Sequence, residues 1–168
     1  RVQYRRFIRA LEHTWRRGNQ WLVKTDIASF YDSIDHDLLV ESLRDRWAID
    51  ERLLNLLKKC LHTWSPHIHQ RYLGTGLPQG YEASDLLSTL FLNTVDRDMC
   101  SKGYDTNYLR YVDDIRMLLP QQDRASRSLI DLDLSMKSIG LILQTTKTTI
   151  QKIDSLDSQR DPQWGLLS

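Results

Sequence analysis

The sequence is short of several things at once. Cysteine occurs twice, at Cys60 and Cys100, with no second pair and no CxxC spacing. That excludes a disulfide framework and an all-cysteine zinc site, and makes reduced thiols in a cytoplasmic protein the expectation. Glycine and proline number seven and four, and no linker rich in them, internal repeat or low-complexity tract divides the chain. The longest mostly apolar run, residues 86–92, is interrupted by Ser88 and Thr89. It falls far short of the ~20 apolar residues that a membrane helix needs. No charged n-region followed by an apolar h-region opens the sequence, so neither a secretory signal nor a membrane partner is expected. Excess charge is missing too: 23 basic against 22 acidic residues give a net charge of +1, which by itself names no partner.

What is present is ordinary in amount. The chain has 168 residues, of which 40% are hydrophobic and 27% charged, enough for one domain with a substantial core and unlike a disordered or fibrous chain. The charge is unevenly placed. Among the first 24 residues, Arg1, Arg5, Arg6, Arg9, Arg16, Arg17 and Lys24 face a single acidic residue, Glu12, with Tyr4, Phe7, Trp15 and Trp21 interleaved. Such a segment suits a phosphate backbone. It equally suits an amphipathic helix whose aromatic face docks on the domain.

Periodicity predicts a basic helix over 2–17 stopped by Gly18-Asn19, then an apolar strand over 21–26 that ends on Asp26. Asp35 or Asp37 should cap a helix carrying Leu38, Leu39, Leu43 and Trp47, and a second helix after Asp50 should place Leu53, Leu54, Leu57 and Leu61 on one face. Residues 67–80 read as loop or irregular strand. The next helix should turn Leu86, Leu87, Leu90, Phe91 and Val95 inward and end near Gly103. Strands at 108–112 and 115–119, joined by Asp113-Asp114, are followed by a helix over 123–139 and strands near 141–143 and 148–153. Trp15, Trp47 and Trp64 read as core or as contacts to a neighbouring region. This order predicts an α+β fold, an antiparallel sheet with helices packed on one face, of ferredoxin-like type.

Two adjacent aspartates are a poor choice for a two-residue hairpin turn, which favours Asn-Gly or Asp-Gly because both residues take positive φ. Their like charges also repel and raise one pKa unless something positive intervenes. A hard divalent cation bound through oxygen would do so. Asp26 ends a strand that this architecture sets beside the hairpin, so its carboxylate can converge on Asp113 and Asp114. Three such carboxylates suit two Mg²⁺ ions about 3.5–4 Å apart, which clamp the attacking and leaving oxygens of a phosphoryl transfer. Between the acidic positions runs Gly74-Thr75-Gly76-Leu77-Pro78-Gln79-Gly80, a Gly/Pro loop leading into a helix. It permits close backbone approach to a flat ligand but lacks the GxxxxGK[ST] pattern of a P-loop.

Four segments together resemble one family. Asp26-Ile27-Ala28-Ser29-Phe30-Tyr31-Asp32-Ser33-Ile34-Asp35-His36 resembles polymerase motif A of prokaryotic reverse transcriptases. Leu77-Pro78-Gln79-Gly80 with Ala83-Ser84 resembles motif B, Tyr111-Val112-Asp113-Asp114 motif C, and the stretch from Ser138-Ile139-Gly140-Leu141 through Lys147-Thr148 motif D. Each motif alone is weak; four in the family's order and spacing are specific. The resemblance covers roughly residues 20–150 and the family spans group II intron, retron and phage-defence enzymes, with Tyr81-Glu82-Ala83-Ser84 and Tyr111 to Arg116 closer to the retron and defence (antiviral) lineages.

The resemblance implies a polymerase palm and RNA-templated DNA synthesis from dNTPs, with RNA as template and DNA or RNA as primer. It implies that Asp26 and Asp113 ligate two Mg²⁺ ions (Mn²⁺ being an alternative), that Asp114 supports them, and that the Ile27 carbonyl completes one shell. By the same resemblance Tyr31 is an aromatic gate against a 2′-hydroxyl, Gln79 and Gly80 lie against the incoming nucleotide and template base, and Lys147 protonates the pyrophosphate leaving group. The family's fingers region before motif A and its thumb after the palm are not matched, and no convincing motif E follows motif D. Residues 1–20 are therefore expected to be the end of the fingers, 21–153 the palm, and 154–168 a tail or the start of a thumb connection. The chain is expected to be a fragment, with the missing regions supplied elsewhere in the protein or by a separate chain, and to be poorly active alone.

Other readings stay open. A nucleotide-cyclase-like palm shares the metal-binding strand and hairpin but has no need of the Leu-Pro-Gln-Gly loop. A non-catalytic RNA-binding palm gains nothing from clustered negative charge. Untemplated or protein-primed DNA synthesis in phage defence fits the same residues. A zinc site at Cys60, His62, His67 and His69 lacks the usual paired spacing.

Overall fold

The structure is a computed structural model that describes residues 2–64, 67–68 and 71–156. Helix α1 (Val2–Arg16) leads into strand β1 (Trp21–Thr25), a short helix α2 (Phe30–Ser33), α3 (His36–Trp47) and α4 (Glu51–Trp64). A small antiparallel pair follows, β2 (His67–Ile68) with β3 (Arg71–Tyr72). Helix α5 (Glu82–Met99) runs into a π-helical turn at Cys100–Tyr104. The hairpin β4 (Tyr108–Tyr111) and β5 (Asp114–Leu119), α6 (Gln122–Ser138), a 3₁₀ turn at Thr145–Lys147 and β6 (Thr149–Lys152) complete the described chain.

The main sheet has the order β4-β5-β1-β6, and every neighbouring pair is antiparallel. Successive side chains of a strand point to opposite faces, and here the two faces differ. Val23, Ile115, Met117 and Leu119 enter a large core with Leu39, Leu43, Phe91, Leu92, Val95, Leu132 and Met136, contributed by α3, α5 and α6. Leu22 and Leu118 point the other way, into a smaller cluster with Leu11, Ile153 and Leu156. The expected α+β layer is therefore present, and α1 adds a partial cover on the opposite face. That helix buries Tyr4, Phe7, Leu11 and Thr14 while Arg5, Arg6, Arg9 and Arg16 stand in solvent. The aromatic face of the basic opening segment therefore docks on the domain, with the arginines on the opposite side of the same helix.

Local chemistry explains several boundaries. Asp35 is the cap of α3, its carboxylate accepting from the backbone N–H groups of Asp37 and Leu38, both at 2.9 Å, which satisfies donors that have no partner in the first turn. Gly18, with φ +90°, closes α1 as expected, its N–H bonded to the Trp15 carbonyl at 2.9 Å.

Elsewhere the structure corrects the sequence reading. Residues 141–143 form no strand; Leu143 makes an isolated bridge with Ile27. Leu86, at 60% exposure, faces solvent instead of the core, and so does Leu53. Each follows from angle: the helix face that turns inward is set by Ser84, Ser88, Phe91 and Val95 on α5, and by Leu54 and Leu61 on α4. Trp47 and Trp64 are nearly half exposed and belong to no core cluster.

Candidate active site

The β1–β5 ladder ends at Thr25↔Ile115, so the next residue of the first strand, Asp26, emerges beside the start of β5. The β4–β5 ladder ends at Tyr111↔Asp114. The two-residue hairpin loop is therefore Val112-Asp113 rather than Asp113-Asp114, and Asp114 is the first residue of a strand. Val112 takes φ +57°, a rare conformation for a β-branched residue but the sign such tight hairpin turns require. The loop holds Asp113 at the tip of the turn.

There the Asp113 carboxyl comes within hydrogen-bonding reach of Asp26. Burial, then the negative charge of Asp26, push the Asp113 carboxyl above the usual carboxylate range, and Lys147 works in the opposite direction. Asp26 is well fixed. Its Oδ1 accepts from the Ile27 N–H at 2.9 Å, its backbone carbonyl from the Gln144 N–H at 2.8 Å, and its Oδ2 receives the Lys147 ammonium as an ion pair. Lys147 is raised in turn by that bond. The bridge that joins residue 27 to Leu143 is made by the Asp26 carbonyl and the Ala28 N–H, so the Ile27 carbonyl takes no part in it.

Asp114 behaves differently. Arg116 donates to both of its oxygens, Nε to Oδ1 at 3.2 Å and an Nη to Oδ2 at 2.7 Å, and Arg116 is itself buried. Of the three aspartates, then, Asp26 and Asp113 lie close enough for one to disfavour ionisation of the other, and Asp114 is held by an arginine. A cleft here measures about 440 Å³ and is lined by Lys24, Thr25, Asp26, Asp114, Lys147 and Thr149. Among the described residues no cluster of three or more His, Cys, Asp or Glu side chains forms a metal cage. The arrangement offers two hard carboxylate donors, Asp26 and Asp113, with a lysine beside them.

The Gly/Pro loop is stitched to the residues after β1. The Gly76 N–H donates to the Ile34 carbonyl and the Leu77 N–H to the Tyr31 carbonyl, each at 2.9 Å, and a His36 ring nitrogen meets the Gly76 carbonyl at 2.7 Å. Gln79 and Gly80 lie exposed in the turn that opens α5, and Gly80 there takes φ +85° with open space around it. The Tyr31 hydroxyl donates to Asp85 Oδ1 at 2.6 Å. Burial first, and then this contact, push the phenol up to about 12.

Sequence reasoning missed Asp85 and Arg116. Arg116 carried a signal, since a residue two after Asp114 in a strand shares its face. Asp85 carried none, because nothing local relates it to Tyr31. In the zinc reading, the side chains of His67 and His69 lie outside the described residues, and Cys60 is a free thiol. Among the described residues no helix is long and apolar enough to cross a membrane.

Comparison with known proteins adds to this geometry. The family model described as reverse transcriptase (RNA-dependent DNA polymerase) matches residues 4–160. Protein YkfC of Escherichia coli is 35% identical over 81 residues, 46% of this chain and 20% of that protein. The putative COX1/OXI3 intron 2 protein of Saccharomyces cerevisiae is 31% identical over 84 residues, 49% of this chain and 10% of the relative. The chain thus spans a fifth or less of the length of these curated relatives. Among solved structures, the telomerase of Candida albicans, in complex with a fragment of telomeric RNA, aligns with a TM-score of 0.61 at 13% identity, covering 90% of this chain and 30% of that one. Apo telomerase from Candida tropicalis aligns with a TM-score of 0.63 at 13% identity, over 89% and 32% of the two chains. These two likenesses concern the fold.

Proposed function

The chain belongs to the reverse transcriptase (RNA-dependent DNA polymerase) family, and on that premise we propose that it forms the palm of an enzyme that extends a DNA or RNA primer with deoxynucleotides along an RNA template. The observation that carries this reading is the contact between Asp26 and Asp113. Two carboxylates far apart in sequence share one partly buried place, where the second is hard to ionise. Repulsion of that kind costs stability, and a divalent cation is the partner that relieves it.

The residues present fit a hard cation. Mg²⁺ or Mn²⁺ would be held by Asp26, Asp113 and the Ile27 carbonyl, with Asp114 in support. Two ions held there would supply charge stabilisation for the attacking and leaving oxygens of an in-line displacement. In that displacement the primer 3′-oxygen bonds to the α-phosphorus of the dNTP as the bond to the β-phosphate oxygen breaks. The hydroxyl proton leaves with solvent, and pyrophosphate departs. Lys147, whose ammonium stands against Asp26, would give a proton to the leaving pyrophosphate. Tyr31 would stack against the sugar and clash with a ribose 2′-hydroxyl. Gln79 and Gly80 would meet the nucleotide and template base at the mouth of α5. Grip on the triphosphate and on the template–primer duplex would come from fingers and thumb regions elsewhere in the protein or from a separate chain.

The test is Mg²⁺-dependent dNTP incorporation on a primed RNA template by the protein at its full natural length. Asp113→Ala should abolish it, and incorporation that survives the substitution overturns the reading. Cyclic nucleotide formed from an NTP without a primer would favour a cyclase instead. Incorporation without any template would favour untemplated synthesis.

A further inference from the structure

Tyr31 is held at both ends. Its backbone carbonyl accepts the Leu77 N–H at 2.9 Å, and its hydroxyl donates to Asp85 Oδ1 at 2.6 Å. Asp85 lies in the first turn of α5, where the helix dipole favours a negative side chain. One turn further along the same face, the buried Ser88 hydroxyl comes within hydrogen-bonding reach of the phenol and also donates to the Asp85 carbonyl at 3.0 Å. The ring itself leans on Phe30, with centroids 5.1 Å apart. Among the described residues, Asp85 is the carboxylate that accepts the phenol's hydrogen bond. A tyrosine ring has two rotatable bonds, and a charge-assisted hydrogen bond at its tip removes the freedom that packing alone leaves.

We propose that Asp85 is the positioning residue for Tyr31: by tying the phenol to α5, it holds the ring where the 2′-hydroxyl of an incoming ribonucleotide would collide. The inference rests on the polymerase reading given above and adds the residue that sets its sugar selectivity. The phenol, pushed up to about 12, keeps its proton across the physiological range and so donates to Asp85 throughout. Asp85 is solvent-exposed, so its replacement removes the tether without opening the core. A released ring swings toward solvent, and the ribose is admitted.

The experiment compares kcat/KM for a dNTP and the matching rNTP, in the full-length protein, for wild type, Asp85→Ala, Asp85→Asn, Tyr31→Phe and the Asp85→Ala/Tyr31→Phe double variant. Asp85→Ala should lower the dNTP/rNTP ratio about tenfold, the size of one charge-assisted hydrogen bond. Tyr31→Phe should do the same, and the double variant no more, because both remove one interaction. Asp85→Asn keeps an acceptor and should restore most of the ratio. Independently of activity, ultraviolet titration with Tyr31→Phe as the reference should show the Tyr31 phenol falling toward the ordinary tyrosine value in Asp85→Ala. An unchanged ratio in Asp85→Ala overturns the inference alone. A wild-type protein that incorporates no dNTP overturns the polymerase reading and the inference with it.

Discussion

Arg116 grips Asp114 along the same face of the sheet, its guanidinium bonded to both carboxylate oxygens and lying 5.2 Å from the centre of the Phe7 ring. Phe7 and Tyr4 in turn pack against Tyr111, at 6.0 and 5.3 Å between ring centres. Helix α1 therefore reaches the hairpin through one arginine and one tyrosine, which flank the two aspartates in sequence. The two partners of the ion pair are unequal. The Arg116 side chain is 5% exposed and the Asp114 side chain 30%.

That inequality gives an asymmetric prediction. Asp114→Ala takes from a buried guanidinium the carboxylate that accepts from two of its nitrogens and should cost about 2 kcal/mol, below the range for fully buried pairs because Asp114 is partly hydrated. Arg116→Met keeps an apolar stem against Phe7 and leaves a carboxylate that water can reach, so it should cost less, about 1 kcal/mol. Urea denaturation of the two variants would check the order.

Asp113 sets a pH dependence. Its carboxyl is raised in the folded protein by burial and by Asp26, so the folded state holds that proton more tightly than the unfolded chain does. The stabilising contribution of this group is full below the ordinary carboxylate range and is lost as pH rises through the raised value. Asp113→Asn should accordingly raise the melting temperature at pH 7 without divalent ions, by about 2–4 °C if the strain is near 1 kcal/mol. The gain should vanish in acid. Millimolar Mg²⁺ should stabilise wild type and leave Asp113→Asn nearly unmoved. Thermal scans at both pH values, with and without the ion, read all of these.

Lys147 pairs with Asp26 at a position where a metal ion would compete with it. Lys147→Met should therefore lower the Mg²⁺ concentration needed for half-maximal thermal stabilisation. If Lys147 gives the proposed proton to pyrophosphate, the same variant should lower kcat for dNTP incorporation by at least about tenfold. A variant that slows catalysis without changing the ion requirement would separate the lysine from the carboxylate.

The two leucine faces of α5 are also separable. Leu92 is fully buried and Leu86 is 60% exposed. Leu92→Ala should cost about 3 kcal/mol by opening a cavity, and Leu86→Ala should stay within about 0.5 kcal/mol of wild type. Denaturant midpoints distinguish them readily.

Much of the architecture was legible because its signals are local. The apolar run that ends on Asp26 and the Gly18 stop are short-range features, and so is the aspartate at the head of α3, although either Asp35 or Asp37 suited that cap until the bonds identified Asp35. Leu86 misled because a helix read alone shows an apolar stripe without showing which edge of it the sheet will cover. The stretch 141–143 misled for a related reason: Leu141 and Leu143 are buried and one bridge joins Leu143 to Ile27, without the further pairing that would make a ladder.

The sequence by itself determined the elements, their order and the acidic residues at two strand ends, because hydrophobic period, capping chemistry and turn residues act over a few positions. It did not determine which oxygen meets which partner. That Asp26 faces Asp113, that Asp114 turns to Arg116, and that Tyr31 is tied to Asp85 were decided by strand register and helix placement. A one-residue change of register would reverse every side chain on a strand, and no local preference fixes contacts between residues so far apart along the chain.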